Sequence, residues 1–589
     1  MSDFTADPRL LLLAAMASII GVMSTGAAWL LLRMIAVFTN LAYYQRFSTL
    51  VVPFPHTLPL WTVAIPVIGG LIIGFMARYG SEKIRGHGIP EAIEAILIGQ
   101  SRIAPKVALL KPLSSAISIG TGGPFGAEGP IIMTGGALGS LFAQLFHLSS
   151  AERKTLLVAG AAAGMTAVFG TPIAAILLAV ELLLFEWKPR SFIPVAIAAM
   201  VAMAIRPFII GSGPLFPYLG IVALPWWGLG LCLLAGIAAG LQSALMTLCL
   251  YGIEDLFHKL PIHWMWWPAL GGIAVGIGGY YDPAVLGVGY DNIRLLLQGG
   301  LSIHDTTLLL FLKMAVWLIA LSSGTSGGVL APLLIMGGAL GMLEGQFIPF
   351  ADPGFWALLG MAAILGGTMR APLTAAFFAM ELTGNSHILL PVLAASVAAF
   401  GTTVLLMKRS ILTERIARRG LHLTREYGID PFLDTRVADI MAKPVDTLDA
   451  TMLVEAAVAF FADPARVPHH KSYPIVDEGA VIAMISRADA LRWSREGWAD
   501  AAVLKDATTG KPLLVGYGDE LVGHLADRMT AADVGRVPIL EKGSEKLIGL
   551  VARRDLLRVR ARQAHEEQHR GGWLGPFRSR ASLEATTMP

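Results

Sequence analysis

The sequence predicts a mostly α-helical integral membrane protein of two related halves with broken helices, followed by a water-exposed α/β pair of small domains. Three observations predict it. Charge is scarce over residues 10–406 and ordinary afterwards. Glycine–proline breaks interrupt the apolar runs. A repeat can be read on each side of the composition change.

Hydrophobic residues make up 55% of the 589 positions and charged residues 15%. Soluble globular proteins carry roughly 25% charged residues. The deficit lies between Leu10 and about Leu406, where long apolar stretches alternate with short polar breaks. From Lys408 onward Arg, Asp, Glu and Lys are frequent. The apolar run from Leu10 to Leu32 has the length of a membrane-spanning helix, and the short acid-bearing stretch Met1–Arg9 is not the start of a cleavable signal. A net charge of +3 is small, but Lys408, Arg409, Arg415, Arg418 and Arg419 cluster just after the last apolar segment. The positive-inside rule places that end, and the soluble part after it, in the cytoplasm. Arginine flanking a membrane is ordinary, so no nucleic-acid partner follows from the cluster. Cys232 and Cys249 share one apolar segment and give no disulfide or metal framework. The soluble part has no P-loop, nucleophile motif or metal cluster, which argues against an enzyme. The expected division is an N-terminal cytoplasmic segment over 1–8, a membrane domain over 9–420, a linker over 421–433, soluble repeats over 434–496 and 502–563, and a disordered tail over 564–589.

The breaks are Gly86-His87-Gly88-Ile89-Pro90, Gly126-Ala127-Glu128-Gly129-Pro130 and Gly328-Val329-Leu330-Ala331-Pro332. Inside a bilayer, backbone N–H and C=O groups must find partners, so irregular backbone there is buried in protein or lines a polar cavity. Isolated glycines are explained by close helix packing; glycine followed by proline within a helical run is not. The chain also repeats itself. Gly135-Gly136-Ala137-Leu138-Gly139 recurs as Gly337-Gly338-Ala339-Leu340-Gly341, and Pro130 matches Pro332. The segment Thr171 to Leu182 recurs as Ala371 to Leu382 at nearly the same offset. Transport proteins are often built from such halves, with discontinuous helices meeting near the midplane. Spacing alone leaves open whether the halves are inverted.

At these breaks the sequence resembles the CLC chloride channel/transporter family. Gly86-His87-Gly88-Ile89-Pro90 resembles that family's Gly-Ser-Gly-Ile-Pro, Gly126 to Pro130 its Gly-(Lys/Arg)-Glu-Gly-Pro, and Gly328 to Pro332 its Gly-x-Phe-x-Pro. The motifs keep the family order, and the resemblance covers about residues 10–420. It implies two inverted repeats of broken and tilted helices, and a homodimer with one anion pathway per subunit. Physical chemistry agrees with an anion. A helix N-terminus offers unpaired N–H groups and about half a positive charge. Several such ends replace a halide's hydration shell yet let the ion leave. The implied anion-binding residues are His87, Gly88, Ile89, Pro90, Gly129, Pro130, Val329, Leu330, Ala331 and, from the last membrane helix, Leu412.

Glu128 is the one charged residue between Pro112 and Ala151. An ionised group at bilayer depth costs about 2.5–3.5 kcal/mol even on a lenient scale, so it is functional by default. The alternative is a carboxylate that merely caps a helix. By resemblance Glu128 is the gate, a tethered anion that competes for an anion site until it is protonated. His87 stands where the family has Ser. It is either a neutral imidazole swung away from the ion or a donor that changes anion preference or adds pH sensitivity. Leu412 occupies the place of a family Tyr, and Leu182 the place of the proton-relay glutamate of coupled exchangers. Glu181 matches a neighbouring acid. Glu186 lies four residues beyond Leu182, on roughly the same face of a continuing helix, as a substitute proton acceptor or a solvated helix end. Lys111 matches a basic residue behind the family's pathway, and a snorkelling lysine explains it equally well.

The soluble end holds two similar units, Tyr473 to Leu491 and Val537 to Leu557, each reading strand, turn, strand, helix. They resemble a CBS-domain pair. The resemblance implies adenine-nucleotide positions at Ser486, Asp489 and Asp555, with Ala552 in place of the second hydroxyl; a purely structural module is the alternative. The altered Tyr, Ser and relay glutamate together lead to the expectation of a passive chloride channel or uncoupled small-anion conductor in the cell membrane, gated by Glu128. The alternative is a proton-coupled chloride antiporter, and a fluoride exporter ranks below both. No cofactor is expected beyond an adenine nucleotide at the CBS pair, and no metal.

Overall fold

In the computed structural model, the described residues are 9–97, 99, 101–220, 224–348, 350–418, 432, 435–462, 470–496, 502–544, 546–559 and 561. The segment 1–8, nearly all of the linker 421–433, Arg419 and the tail 564–589 lie outside them. The chain divides into two compact units, Met1–Glu426 and Tyr427–Pro589.

The first unit is all helix. Its first half runs α1 (Arg9–Tyr44), α2 (Ala64–Tyr79), α3 (Ile89–Leu97), α4 (Pro105–Gly120), α5 (Glu128–Gln144), α6 (Ser150–Phe169), α7 (Pro172–Leu178) and α8 (Pro189–Ile209). Its second half runs α9 (Gly228–His258), α10 (Trp267–Tyr281), α11 (Tyr290–Leu297), α12 (Ile303–Ser322), α13 (Leu330–Gly345), α14 (Pro353–Met369), α15 (Pro372–Thr383) and α16 (Leu389–Leu406). The short α17 (Ile411–Arg418) follows. Among the described residues, six helical stretches are long and apolar enough to cross a membrane. The first of them, α1, has 36 residues and outruns the apolar run from Leu10 to Leu32. The shorter helices α3, α5, α7, α11, α13 and α15 start or stop inside the fold, as the glycine–proline breaks require.

The halves meet about a local two-fold. Gly126 and its repeat partner Gly328 bond reciprocally, Gly126 N–H to the Gly328 oxygen at 3.0 Å and Gly328 N–H to the Gly126 oxygen at 2.8 Å. The two segments run antiparallel there, as copies related by a two-fold do, an arrangement common in transport folds. The repeat also reaches further upstream than residue 130. Pro66 and Gly70 of α2 correspond to Pro268 and Gly272 of α10. A methyl group on Gly70 would strike the Pro268 oxygen, and one on Gly272 would lie 2.5 Å from the Pro66 oxygen. Glycine is needed there because the two backbones pass in contact.

Capping explains where several helices start. Ser149 accepts from Glu152 N–H while Glu152 accepts from Ser149 N–H, a reciprocal cap for α6. Asp352 accepts from Phe355 N–H at α14, and α7 and α15 both open on proline. The helix expected to carry Leu182 and Glu186 on one face does not continue. After α7 the backbone widens into a π-helical turn, Ala179–Leu184, and ends at Phe185 with φ 53°.

The second unit holds two three-stranded sheets. β1 (Leu448–Asp449), α18 (Val454–Ala462), β2 (Ser472–Asp477), β3 (Ala480–Ser486) and α19 (Arg487–Glu496) form one repeat. β4 (Gly516–Tyr517), α21 (Val522–Ala531), β5 (Arg536–Leu540), β6 (Leu547–Ala552) and helical residues 553–559 form the other, while α20 (Leu504–Ala507) packs back into the first, Leu504 N–H donating to the Met452 oxygen. In each, a short strand lies parallel to the first strand of an antiparallel hairpin. The strand–turn–strand–helix pattern read from sequence is present twice, with a parallel strand added.

Candidate functional site

The three glycine–proline breaks converge. Gly86 bridges Ser326 and Gly126 bridges Gly328. A methyl group on Gly129 would collide with the His87 carbonyl oxygen, and one on Gly88 would lie 2.8 Å from the Gly129 oxygen. Gly86 and Gly88 have φ of 80° and 90°, a region costly for other L-residues. The starts of α3, α5 and α13 therefore lie side by side as one cradle, and Gly88, Ile89, Pro90, Gly129, Pro130, Val329, Leu330 and Ala331 in them are all buried. Proline suits these first turns, where its missing N–H would have had no partner.

Glu128 begins α5 and is 0% exposed. Its carboxylate lies against the backbone of Gly126 and Gly328, faced by the N–H groups of Glu128 itself and Ala331. Neither oxygen makes a hydrogen bond of normal geometry, and no cationic side chain among the described residues pairs with it. An acid held by helix ends rather than by a countercharge can release that place by becoming neutral. His87 is 1% exposed in the loop that opens α3.

Lys111 is not a snorkelling lysine. It is fully buried, and its Nζ donates to the Ile84 oxygen (2.8 Å), the Gly86 oxygen (2.6 Å) and Ser326 Oγ (3.1 Å). Ser114 and Ser115 also bond Ser326 Oγ, at 3.1 and 2.9 Å. This polar knot holds the Gly86 loop behind the cradle. Arg415 is likewise not a plain membrane-flanking charge. It ion-pairs with buried Glu91 at 3.7 Å, and Glu91 in turn accepts from Gly88 N–H at 3.0 Å. The Arg415 guanidinium packs directly on Gly86, tying α17 to the start of α3. Arg418 pairs with Asp255 and lies over the Tyr251 ring. Leu412 is fully buried in α17.

Leu182 is fully buried in the π-helical turn. Glu186 does not share a helix face with it. The chain reverses at Phe185, and Glu186 instead pairs with Lys188 at 3.2 Å and accepts from Ser191 Oγ at 2.7 Å. Glu181 turns to the other half, accepting from Thr374 N–H (2.9 Å), Thr374 Oγ1 (2.6 Å) and Leu373 N–H (3.3 Å) at the start of α15. Glu381 reciprocates on α7 through Ile173 N–H (3.0 Å) and Ala174 N–H (2.8 Å). Sequence reasoning missed this clasp, the Glu91–Arg415 pair and Ser326. The signal for the clasp was present, since Glu181 and Glu381 hold the same place in the repeat.

A family model described as voltage gated chloride channel matches residues 69–404, more than half of the chain. The chain belongs to this CLC family. A CBS-domain model matches residues 437–496 and 505–562. Among curated relatives, a putative chloride channel protein ClcB-like from Ralstonia nicotianae is 28% identical over 374 residues, covering 62% of this chain and 87% of that protein. An H(+)/Cl(-) exchange transporter ClcA from Salmonella paratyphi A is 30% identical over 385 residues, covering 61% and 79%. Among solved structures, a slow cyanobacterial Cl-/H+ antiporter matches with TM-score 0.61 at 23% identity, covering 70% of this chain and 99% of that one. A eukaryotic CLC transporter matches with TM-score 0.58 at 19% identity over 93% and 98%, and a CLC-type fluoride/proton antiporter with 0.60 at 20% over 68% and 97%. These structural likenesses establish the fold. The protein is an integral membrane CLC anion-transport protein with a C-terminal CBS pair.

In the CBS pair, Ser486 Oγ and N–H donate to Asp489 at 2.7 and 2.8 Å, and Lys511 Nζ lies 2.8 Å from the same carboxylate. Burial raises the Asp489 pKa, but the bonds from Lys511 and Ser486 outweigh it and hold the carboxyl below its usual range. Asp555 repeats the motif by accepting from Ala552 N–H at 2.9 Å.

Proposed function

We propose that this CLC protein exchanges chloride for protons, with Glu128 as the group that alternates with chloride in the cradle and carries the proton. One observation carries the proposal. Glu128 lies fully buried among helix N-termini and, among the described residues, no cationic side chain is bonded to it. Ionised, it fills an anion's place; protonated, it loses its hold and admits the ion. Curated relatives named H(+)/Cl(-) exchange transporters, 30% identical over 385 residues, favour exchange over the channel expected from sequence. The passive conductor is kept as a second reading by the apolar residues at Leu182 and Leu412, which leave the inner proton route without its usual acid and the cradle without a hydroxyl. With this proposal go a homodimer with one pathway per subunit, a cell-membrane location with both ends cytoplasmic, and a membrane domain over 9–420. The CBS repeats over 434–496 and 502–563 then supply an adenine-nucleotide site at Ser486 and Asp489, with Asp555 its counterpart.

The test is proteoliposomes loaded with chloride at uniform pH. Exchange predicts that outward chloride flow drives protons inward, so that the lumen turns more acidic than the bath. Chloride flow without proton movement would leave the conductor. A parallel arm with fluoride checks the third expectation.

A further inference from the structure

The loop Gly287-Val288-Gly289 before α11 is the second-half counterpart of Gly86-His87-Gly88 before α3. Both glycines of each loop have positive φ, 80° and 90° in the first and 57° and 77° in the second. A buried lysine pins each loop in the same manner. Lys111 donates to the oxygens of Ile84 and Gly86, and Lys313 to those of Val285 (2.7 Å) and Gly287 (3.1 Å). The first loop aims the N-terminus of α3 into the cradle. The local two-fold brings α11 towards the same region from the opposite side.

The copies differ in the first helical residue, Ile89 in α3 and Tyr290 in α11. The Tyr290 hydroxyl is shut off from solvent and, among the described residues, has no hydrogen-bond partner. Buried hydroxyls are bonded in the great majority of cases, so an orphan marks a place where something else completes the bonding. The ring stands edge-on to Phe216, centroids 5.4 Å apart. The hydroxyl lies within electrostatic reach of both Glu128 and Arg294. Arg294, one turn further along α11, is half exposed and lies 5.7 Å over the Phe216 ring. Arg294 is itself ion-paired with Asp291 at 2.8 Å, so Phe216 is flanked by this pair and by the Tyr290 ring.

We propose that Tyr290 donates a hydrogen bond to the transported anion in a second subsite, formed with the N-terminus of α11 on the side of Glu128 away from α3. The subsite rests on the anion-transport reading and supplies a hydroxyl that the chain lacks at Leu412. Neutral Tyr is a suitable donor, since a full positive charge would hold the ion too long.

Two measurements test it. Crystals of the full-length Glu128→Gln protein soaked in bromide should show an anomalous peak at hydrogen-bond distance from the Tyr290 hydroxyl, lost in Glu128→Gln/Tyr290→Phe. In proteoliposomes, Tyr290→Phe should raise the half-saturating chloride concentration by about ten-fold, the size of one hydrogen bond to an ion, without lowering thermal stability. Absence of bromide there, bromide retained without the hydroxyl, or an unchanged half-saturating concentration would overturn the subsite. The bromide map of Glu128→Gln decides the matter even where Tyr290→Phe fails to fold. A parent protein that moves no anion defeats the transport reading, while the map still reports on the subsite.

Discussion

Replacing Lys111 with methionine is the sharpest structural test of the cradle. The ammonium bonds Ile84 O, Gly86 O and Ser326 Oγ at 2.6–3.1 Å in a fully buried place. Ser326 Oγ keeps Ser114 and Ser115 as partners, and the Gly86 oxygen keeps a long bond from Gly327 N–H at 3.4 Å, so Lys111→Met orphans the Ile84 oxygen alone. A buried acceptor left unbonded costs roughly 1–3 kcal/mol. Methionine keeps the length and removes the cost of burying an ammonium, so the net stays within that range. For a domain of roughly 400 residues, at about 2.1 cal/mol/K of unfolding entropy per residue, that lowers Tm by about 1–4 °C. The freed Gly86 loop carries His87 and the start of α3, so chloride flux should fall as well. Lys313→Met, which orphans Val285 O and Gly287 O, should lower Tm by at least as much. The assay is thermal unfolding of the detergent-solubilised protein beside chloride efflux from proteoliposomes. A Lys111→Met protein with parental Tm and parental efflux would refute the claim that this lysine holds the loop.

Glu128→Gln should conduct chloride while losing proton movement and dependence of flux on pH, read by paired chloride and proton electrodes. Glu181→Ala and Glu381→Ala each remove the acceptor of two or three hydrogen bonds at a helix start. Each should lower stability by about 1–3 kcal/mol, measured by denaturant titration. The double substitution should cost about the sum, since each acid serves the other half. Asp489 has a folded pKa below its unfolded value of about 3.9, so its contribution is present above that pH and lost as pH falls through the folded pKa. Rate-corrected hydrogen exchange of residues 472–496 in the full-length protein should therefore rise below about pH 4, and Lys511→Met should weaken the effect.

Much of the membrane fold was legible because lipid forbids unpaired backbone. Glycine and proline inside apolar runs therefore stand out, and the three breaks seen in sequence are the three that meet. Glu128 was legible for the same reason, as the lone charge in its stretch. Lys111 was visible, but its role was not. Snorkelling and burial against carbonyl oxygens use the same residue, and the acceptors Ile84, Gly86 and Ser326 are distant in sequence. Arg415 was hidden in a basic cluster whose members look alike until one is found against Glu91. Glu186 was misplaced because the spacing rule assumes a continuous α-helix, and the π-helical turn with its left-handed end at Phe185 breaks the register. Tyr290 gave no signal, since a tyrosine at the head of a short apolar helix is unremarkable until its hydroxyl is known to be buried and unbonded.

The inverted repeat sorts these residues by itself. Where the two copies carry the same side chain, that side chain holds backbone or packs. Lys111 and Lys313 pin glycine loops, and Glu181 and Glu381 clasp opposite helices. Leu182 and Leu382 are both buried. Glu128 against Leu330, His87 against Val288 and Tyr290 against Ile89 are, by contrast, places where the copies differ. A scaffold with a two-fold needs its supports twice, whereas an ion path with one gate needs that gate once. By this logic Leu182 belongs to the scaffold, and a proton reaching Glu128 from the inner side must travel by water or by another group. If Leu182→Glu created or strengthened proton coupling without disturbing the fold, the position would be a vacated relay rather than a packing site, and the division between scaffold and path would fail at that residue.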